Sequence, residues 1–220
     1  MATATSPEEA ATSPDGPARW AAGRRFGTVA LALSVVVGLL LGYAAGWLTP
    51  TLTRPGDSSA EAGFARDMTT HHAQAIQMAL VAFKYGQDEA VTQLGVDIAT
   101  GQQGEIGIMQ TWLRDWRLDP TGSAPAMAWM PDGAQFVRED GLMPGMATKQ
   151  EMAQLEAARG HDLDVLFLNL MIKHHLGGIH MVDSILDQSD DDQVTEAAQR
   201  MKNTQQGEID NMRSILDRIQ

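Results

Sequence analysis

Two kinds of hydrophobic pattern follow one another along the chain. From Phe26 to Leu48 run 23 residues without a charge, through Val29, Leu31, Leu33, Val35, Val36, Val37, Leu39, Leu40 and Leu41. At about 1.5 Å of rise per residue this run exceeds the ~30 Å hydrocarbon thickness of a bilayer, so it predicts a transmembrane helix. Residues 1–25, with Ser-Pro and Asp-Gly-Pro steps and few large apolar side chains, predict a disordered tail. Residues 49–60 carry two prolines, a glycine and two serines and read as a linker. From residue 61 onward the apolar positions recur at steps of three and four. Phe64, Met68, His71, Ala75, Met78 and Ala82 form one such series, and Phe167, Met171, His174, Gly178, Met181 and Ile185 form another. Gly86-Gln87-Asp88 and Ser189-Asp190-Asp191 supply turns, and a further periodic stretch runs through Val91, Leu94, Ile98, Glu105, Met109 and Trp112. Strand-type alternation is absent, so the expected class is all-α.

The two series are copies. Sliding the chain on itself by 103 residues pairs 64–116 with 167–219 without a gap and gives 16 identities in 53 positions. FARDMTTHHAQAIQM answers FLNLMIKHHLGGIHM, and QQGEIGIMQTWL answers QQGEIDNMRSIL. A fixed offset of this kind marks one supersecondary unit used twice. A single helical hairpin cannot bury its own apolar face, whereas two packed together make a four-helix bundle. Residues 61–220 are thus expected as one duplicated helical-bundle domain, with 117–147 as crossover and Thr148 to Ala158 as a short extra helix.

Composition narrows the chemistry. The net charge is -12, and no basic cluster lies in the folded part, so the electrostatic footprint of a nucleic-acid binder is missing. The chain has no cysteine, which removes disulfides, thiolate metal sites and Cys nucleophiles. Metal chemistry is left to His, Met and carboxylates. Arg19, Arg24 and Arg25 precede the apolar run and Trp20, Tyr43 and Trp47 flank it. These features orient a single-pass cell-membrane protein with its N-terminus in the cytoplasm and its domain outside. A cleaved signal peptide ending near Ala44-Ala45-Gly46 is the alternative, and the length of the run favours an uncleaved anchor. Both put the domain outside the cytoplasm.

Helical geometry places His71 near the centre of the apolar stripe, Met68 one turn away, and His72 on its flank. His174, Met171 and His175 repeat the arrangement. If the hairpin folds symmetrically about Gln87 and Asp88, His71 comes within a turn of Glu105, and His174 lies next to Glu208. Gln102, Glu105 and Met109 share one face, as do Gln205, Glu208 and Met212. A histidine, a carboxylate and two thioethers therefore converge twice. One reading makes His71 with Glu105, and His174 with Glu208, structural pairs that fix helix register, with methionines filling gaps. The other makes them metal ligands, and imidazole with thioether suits copper in either oxidation state. The carboxylate is then a ligand or fixes the His tautomer. Met127-Ala-Trp-Met130 and Met143-Pro-Gly-Met146 are Met-x-x-Met pairs in the crossover, readable as Cu(I) capture elements or as flexible apolar cover. His161 with Asp162 is expected as a capping and charge arrangement at the start of the third bundle helix, and His180 to face away from the stripe.

The paired segments HHAQAIQM and HHLGGIHM, each followed by QQGEI, together with GMATKQEMAQLEAARGHDLDVLFLNLMIKHH, resemble the domain-of-unknown-function family numbered 305 over Gly63 to Ile219. The resemblance implies a ferritin-like four-helix bundle, secreted or membrane-tethered in bacteria. Some members are similar to periplasmic copper-binding proteins with His and Met ligands. Carried over residue by residue, that set is Met68, His71, His72, Met78, Met171, His174, His175 and Met181. The copies depart at Ala73-Gln74-Ala75 against Leu176-Gly177-Gly178, so the halves need not bind alike. A ferritin-like di-iron oxidase would need Glu-x-x-His pairs, and the sequence contains none. Gly-rich phosphate loop, nucleophile elbow and HExxH helix are also missing, which points away from an enzyme. The expected function is a membrane-tethered, extracytoplasmic copper-binding or copper-buffering protein, with a metal-free interaction scaffold as the alternative. No protein partner is legible.

Overall fold

The computed structural model describes residues 27–220, and the side chains of 50–53 lie outside the description. Among the described residues the chain is all-helical: six α-helices, one short 3-10 turn and no strand. The tail and the flanking Arg19, Trp20, Arg24 and Arg25 fall outside the described residues. The described chain divides into two units between Thr53 and Arg54.

In the first unit α1 spans Thr28–Thr53. Its Thr28–Thr49 stretch has a mean hydropathy of 2.2, and its large apolar side chains, from Val29 to Leu48, are exposed. Twenty-two residues of helix reach about 33 Å, long enough to cross a bilayer. A signal sequence has the same length and composition. The helix continues five residues into the expected linker, leaving 54–59 as the non-helical connection.

In the second unit α2 spans Ala60–Tyr85, α3 Glu89–Trp116, α4 Lys149–Ala157, α5 Gly160–Gln188 and α6 Asp192–Ile219. Local chemistry sets most ends. Ser59 Oγ accepts from Ala62 N at 3.2 Å, and Asp88 and Asp191 accept from the first amides of α3 and α6. Thr148 and Glu151 form a capping box at α4. At α5 the expected acid is in place, Asp162 in the first turn, but the cap is absent: Arg159 holds the N-cap position without a side-chain bond, and His161 is exposed. Asp164, two residues past Asp162, turns inward instead and accepts from Gln87 N and Asp88 N, tying the α2–α3 turn to α5.

Helix α2 packs against both α3 and α5, α5 packs against α6, and α3 meets α6 only marginally. The core divides where α2 crosses α5. Phe64 and Met68, early in α2, share a cluster with Met181 and Ile185, late in α5. Met78 and Ala82 share the other with Phe167 and Met171. The crossing is therefore antiparallel. Residues 117–148 are irregular apart from the 3-10 turn Gly133–Gln135. They are fixed to one face of α2 at three steps. Asp67 accepts from Met127 N at 2.7 Å and Trp129 Nε1 at 2.8 Å; His71 Nε2 bonds Pro144 O at 3.0 Å; Gln74 bonds both polar groups of the Ala147 backbone. Positions 67, 71 and 74 recur every three or four residues, so one helical face carries all three contacts. Burial holds the Asp67 carboxyl above its ordinary pKa, and its two hydrogen bonds oppose that rise.

Candidate metal centre

At the α2–α5 crossing the rings of His71 and His174 stack with centroids 3.8 Å apart and planes tilted by 35°. Both residues are 1% exposed. Burial is the main reason that both imidazoles are held far below their ordinary pKa, His71 to about 3, with nearby histidines adding to the effect. Two imidazolium ions could not share this contact, so both rings are neutral. A carbonyl only accepts, so His71 donates Nε2–H to Pro144 O and keeps its bare nitrogen at Nδ1.

The neighbouring histidines form the carboxylate pairs. His72 Nε2 lies 2.7 Å from Glu105 Oε2, and His175 Nε2 lies 2.6 Å from Glu208 Oε2. This corrects the expected pairing of His71 with Glu105 and of His174 with Glu208. The physical cause is that α2 and α5 each have two packed neighbours. The crossing partner takes His71 and His174, and 100° further round the hairpin partner takes His72 and His175. His72 is consequently fully buried, not on a flank.

A neutral imidazole that gives Nε2–H to a glutamate keeps its lone pair at Nδ1. In both His72 and His175 that buried Nδ1 has no hydrogen-bond partner, and in His174 neither ring nitrogen has one. Buried polar atoms without partners are rare, and three neighbouring imidazoles with free nitrogens amount to a set of unfilled donor positions toward an electrophile. Gln102 and Gln205 belong to the same neighbourhood. They are almost fully buried one turn before the glutamates, and Gln102 Oε1 and both amide atoms of Gln205 lack partners. Their signal in the sequence was the shared QQGEI segment, whose first glutamine, not only its glutamate, faces inward.

The thioethers surround this layer. Met68, Met109 and Met181 lie in one core cluster and Met78, Met171 and Met212 in the other, all fully buried. Met127, Met130, Met143 and Met146 of the crossover are buried in the first cluster. They are core side chains. His180 packs edge-on against Phe136 at 4.5 Å, and its buried Nε2 lacks a partner. Among the described residues no three His, Asp or Glu side chains already meet in a metal-holding group. The donor set itself, imidazole nitrogens without hydrogen-bond partners among thioethers, fits a soft or borderline metal ion.

Comparison with known proteins agrees with this architecture. A DUF305 protein of Streptomyces coelicolor is 36% identical with a TM-score of 0.68, covering 74% of this chain and 96% of its own. A DUF305 fragment from Deinococcus radiodurans is 31% identical with a TM-score of 0.60, covering 72% and 96%. CopM in its Cu(II)-bound form is 25% identical with a TM-score of 0.57, covering 76% and 99%. In its Cu(I)-bound form it is 21% identical with a TM-score of 0.57 over 73% and 96%, a likeness of fold. No curated protein matches the chain. The profile of the domain of unknown function DUF305 matches residues 61–216, and the chain belongs to that family.

Proposed function

We propose that this chain is a membrane-tethered, extracytoplasmic copper-binding protein that buffers the ion in a ferritin-like four-helix bundle built from two repeated hairpins. Its anchor is the apolar helix near the N-terminus, crossing once with residues 1–25 in the cytoplasm and 61–220 outside. The observation that carries the reading is the matched pair of buried histidines, His72 and His175. Each is fixed by a glutamate through Nε2 and each presents an unpartnered Nδ1. A carboxylate behind an imidazole sets the tautomer and raises ligand basicity, a role Glu105 and Glu208 would have toward His72 and His175. His71 and His174 are further imidazole donors, and Met68, Met78, Met109, Met171, Met181 and Met212 are the thioethers at hand. A bound copper ion would supply one-electron redox chemistry or reversible storage there. The CopM structures in Cu(I)- and Cu(II)-bound forms support copper as the ion to test first.

Titration of the full chain with Cu(I) and Cu(II), together with metal analysis of the protein taken from its own membranes, tests this. Joint replacement of His72 and His175 by Ala is expected to abolish most binding. Joint Glu105→Gln and Glu208→Gln is expected to weaken it about 10- to 100-fold. Native protein without copper, and melting unaffected by copper, would refute the reading. A metal-free scaffold is the second reading, favoured by the same short His–Glu bonds, which tie α2 to α3 and α5 to α6 with no metal required.

A further inference from the structure

The two copies depart at Gln74 against Gly177, and both residues touch the same stretch of crossover. Gln74 Oε1 accepts from Ala147 N at 2.7 Å and its Nε2 donates to Ala147 O at 2.9 Å. A side chain at Gly177 would run into Pro144 O, so only a glycine lets the stretch lie against α5. Gly145, at φ +79°, is in the left-handed region, and a Cβ there would strike Lys173 O and come within 3.0 Å of His174 Cα. Between these fixings Pro144 O takes the His71 ring. On its outer side the same Pro144 and Gly145 line an open surface groove with Phe136, Leu176 and His180. One thickness of backbone therefore separates the stacked imidazoles from solvent.

We infer that Met143–Ala147 is a latched cover over the His71–His174 pair, and that Gln74 and Gly177 are its positioning residues, the first as latch and the second as seat. The inference rests on the reading of these histidines as part of the metal centre. The cover has no regular secondary structure, and side-chain bonds from α2 hold it, so it belongs among the segments that open locally before the helices do. Opening breaks the His71–Pro144 bond and uncovers both rings together. It also moves Met143 and Met146, placing thioethers and imidazoles at one entrance for a soft cation. The departure between the copies is thus a division of labour: the α2 copy holds the cover and the α5 copy makes room for it.

Histidine modification by diethylpyrocarbonate on the full chain in detergent, read residue by residue by mass spectrometry, tests the cover without any metal. The exposed His161 serves as internal reference. Gln74→Met keeps the length of the side chain and removes both bonds, and is expected to raise labelling of His71 and His174 by about 10- to 30-fold. Gly177→Ala should raise it further. Gly107→Ala is the control: Gly107 is exposed on α3 and a Cβ there meets nothing within 4 Å, so labelling should stay at the wild-type rate. The rate of Cu(I) uptake should rise in step with labelling. Should Gly177→Ala fail to fold, Gln74→Met decides. Unchanged labelling in the folded variants overturns the cover whatever copper does. Faster labelling in a chain that takes up no Cu(I) refutes the copper reading and leaves the cover standing.

Discussion

Helices α2 and α5 meet the same demands at two positions and different demands at two others. Where α2 has His71 and His72, α5 has His174 and His175, and the contacts agree closely: ring on ring across the crossing, and imidazole to glutamate at 2.7 and 2.6 Å within each hairpin. Where α2 has Asp67 and Gln74, α5 has Leu170 and Gly177. The first pair holds backbone groups of the crossover, while Leu170 packs in the core and Gly177 leaves space. The crossover lies along α2, held by Asp67, His71 and Gln74. Phe64, Met68, His71 and His72 recur in the second copy as buried residues, whereas Asp67 and Gln74, which hold the crossover, do not recur. A buried position shared by the two hairpins therefore reports on the site, and the differences at Asp67 and Gln74 report on what covers it.

The largest test of this equivalence lies in the core. Phe64 and Phe167 occupy matching positions and are both fully buried. Replacement of either by Ala removes a large side chain from a closed cluster, so urea denaturation should show a loss of about 3–5 kcal/mol in each case. Losses that differ by more than about half of that range would break the equivalence and show that one hairpin carries the domain.

Acid acts next. His71 and His174 are neutral in the folded chain because their pKa values are depressed, whereas in the unfolded chain they protonate below about 6.5. Below that pH the unfolded state binds more protons, so stability falls as pH falls, until the folded rings protonate near 3 or lower. Each imidazole contributes a slope of up to about 1.4 kcal/mol per pH unit in that window, and nothing above it. Denaturation midpoints at pH 7, 6 and 5 read the slope. His71→Leu should remove one imidazole's share, and His174→Leu another; a flat profile in the wild-type chain contradicts neutral burial.

The His–Glu pairs come third. Glu105→Ala leaves His72 with both nitrogens unpaired, and Glu208→Ala does the same to His175, for a loss of about 1–3 kcal/mol each. Double-mutant cycles in which the histidines are also removed should give coupling energies that match between hairpins to within about 0.5 kcal/mol. A coupling present in one hairpin alone would assign the functional histidine to that half.

How far these contacts could be read from residues alone depended on the kind of partner. The turns at Gly86–Asp88 and Ser189–Asp191 and the short helix after Thr148 were legible because their own side chains make the turn or cap. The His–Glu contact was legible as a type of pair but assigned to the wrong histidine. A stripe drawn for one packed neighbour cannot tell that α2 has two, and the second neighbour brings His72 inside. Asp67 and Gln74 gave no signal at all, because their partners are backbone groups at Met127 and Ala147, 60 and 73 residues away. The crossover methionines carry no helical period, so nothing in their spacing announced that they complete a core cluster. The loop between the hairpins had to be seen in place before the asymmetry of Gln74 and Gly177 acquired a meaning.

The smallest difference lies on the surface. Lys202 Nζ reaches Asp183 Oδ1 at 2.6 Å, linking α6 to α5 on their outer side. The matching positions in the other hairpin are Ala99 and Leu80, with Leu80 half exposed. Both members of the ion pair are more than a third exposed, so water and salt screen it. Lys202→Ala should cost no more than about 0.5 kcal/mol, and the cost should vanish in 1 M salt. If it exceeded about 1 kcal/mol, or persisted at high salt, the outer edge of the α5–α6 hairpin would be contributing to stability in a way that α2 and α3 do not share. The two halves would then differ beyond the crossover, and the inference from shared positions to a shared site would have to be narrowed to the crossing itself.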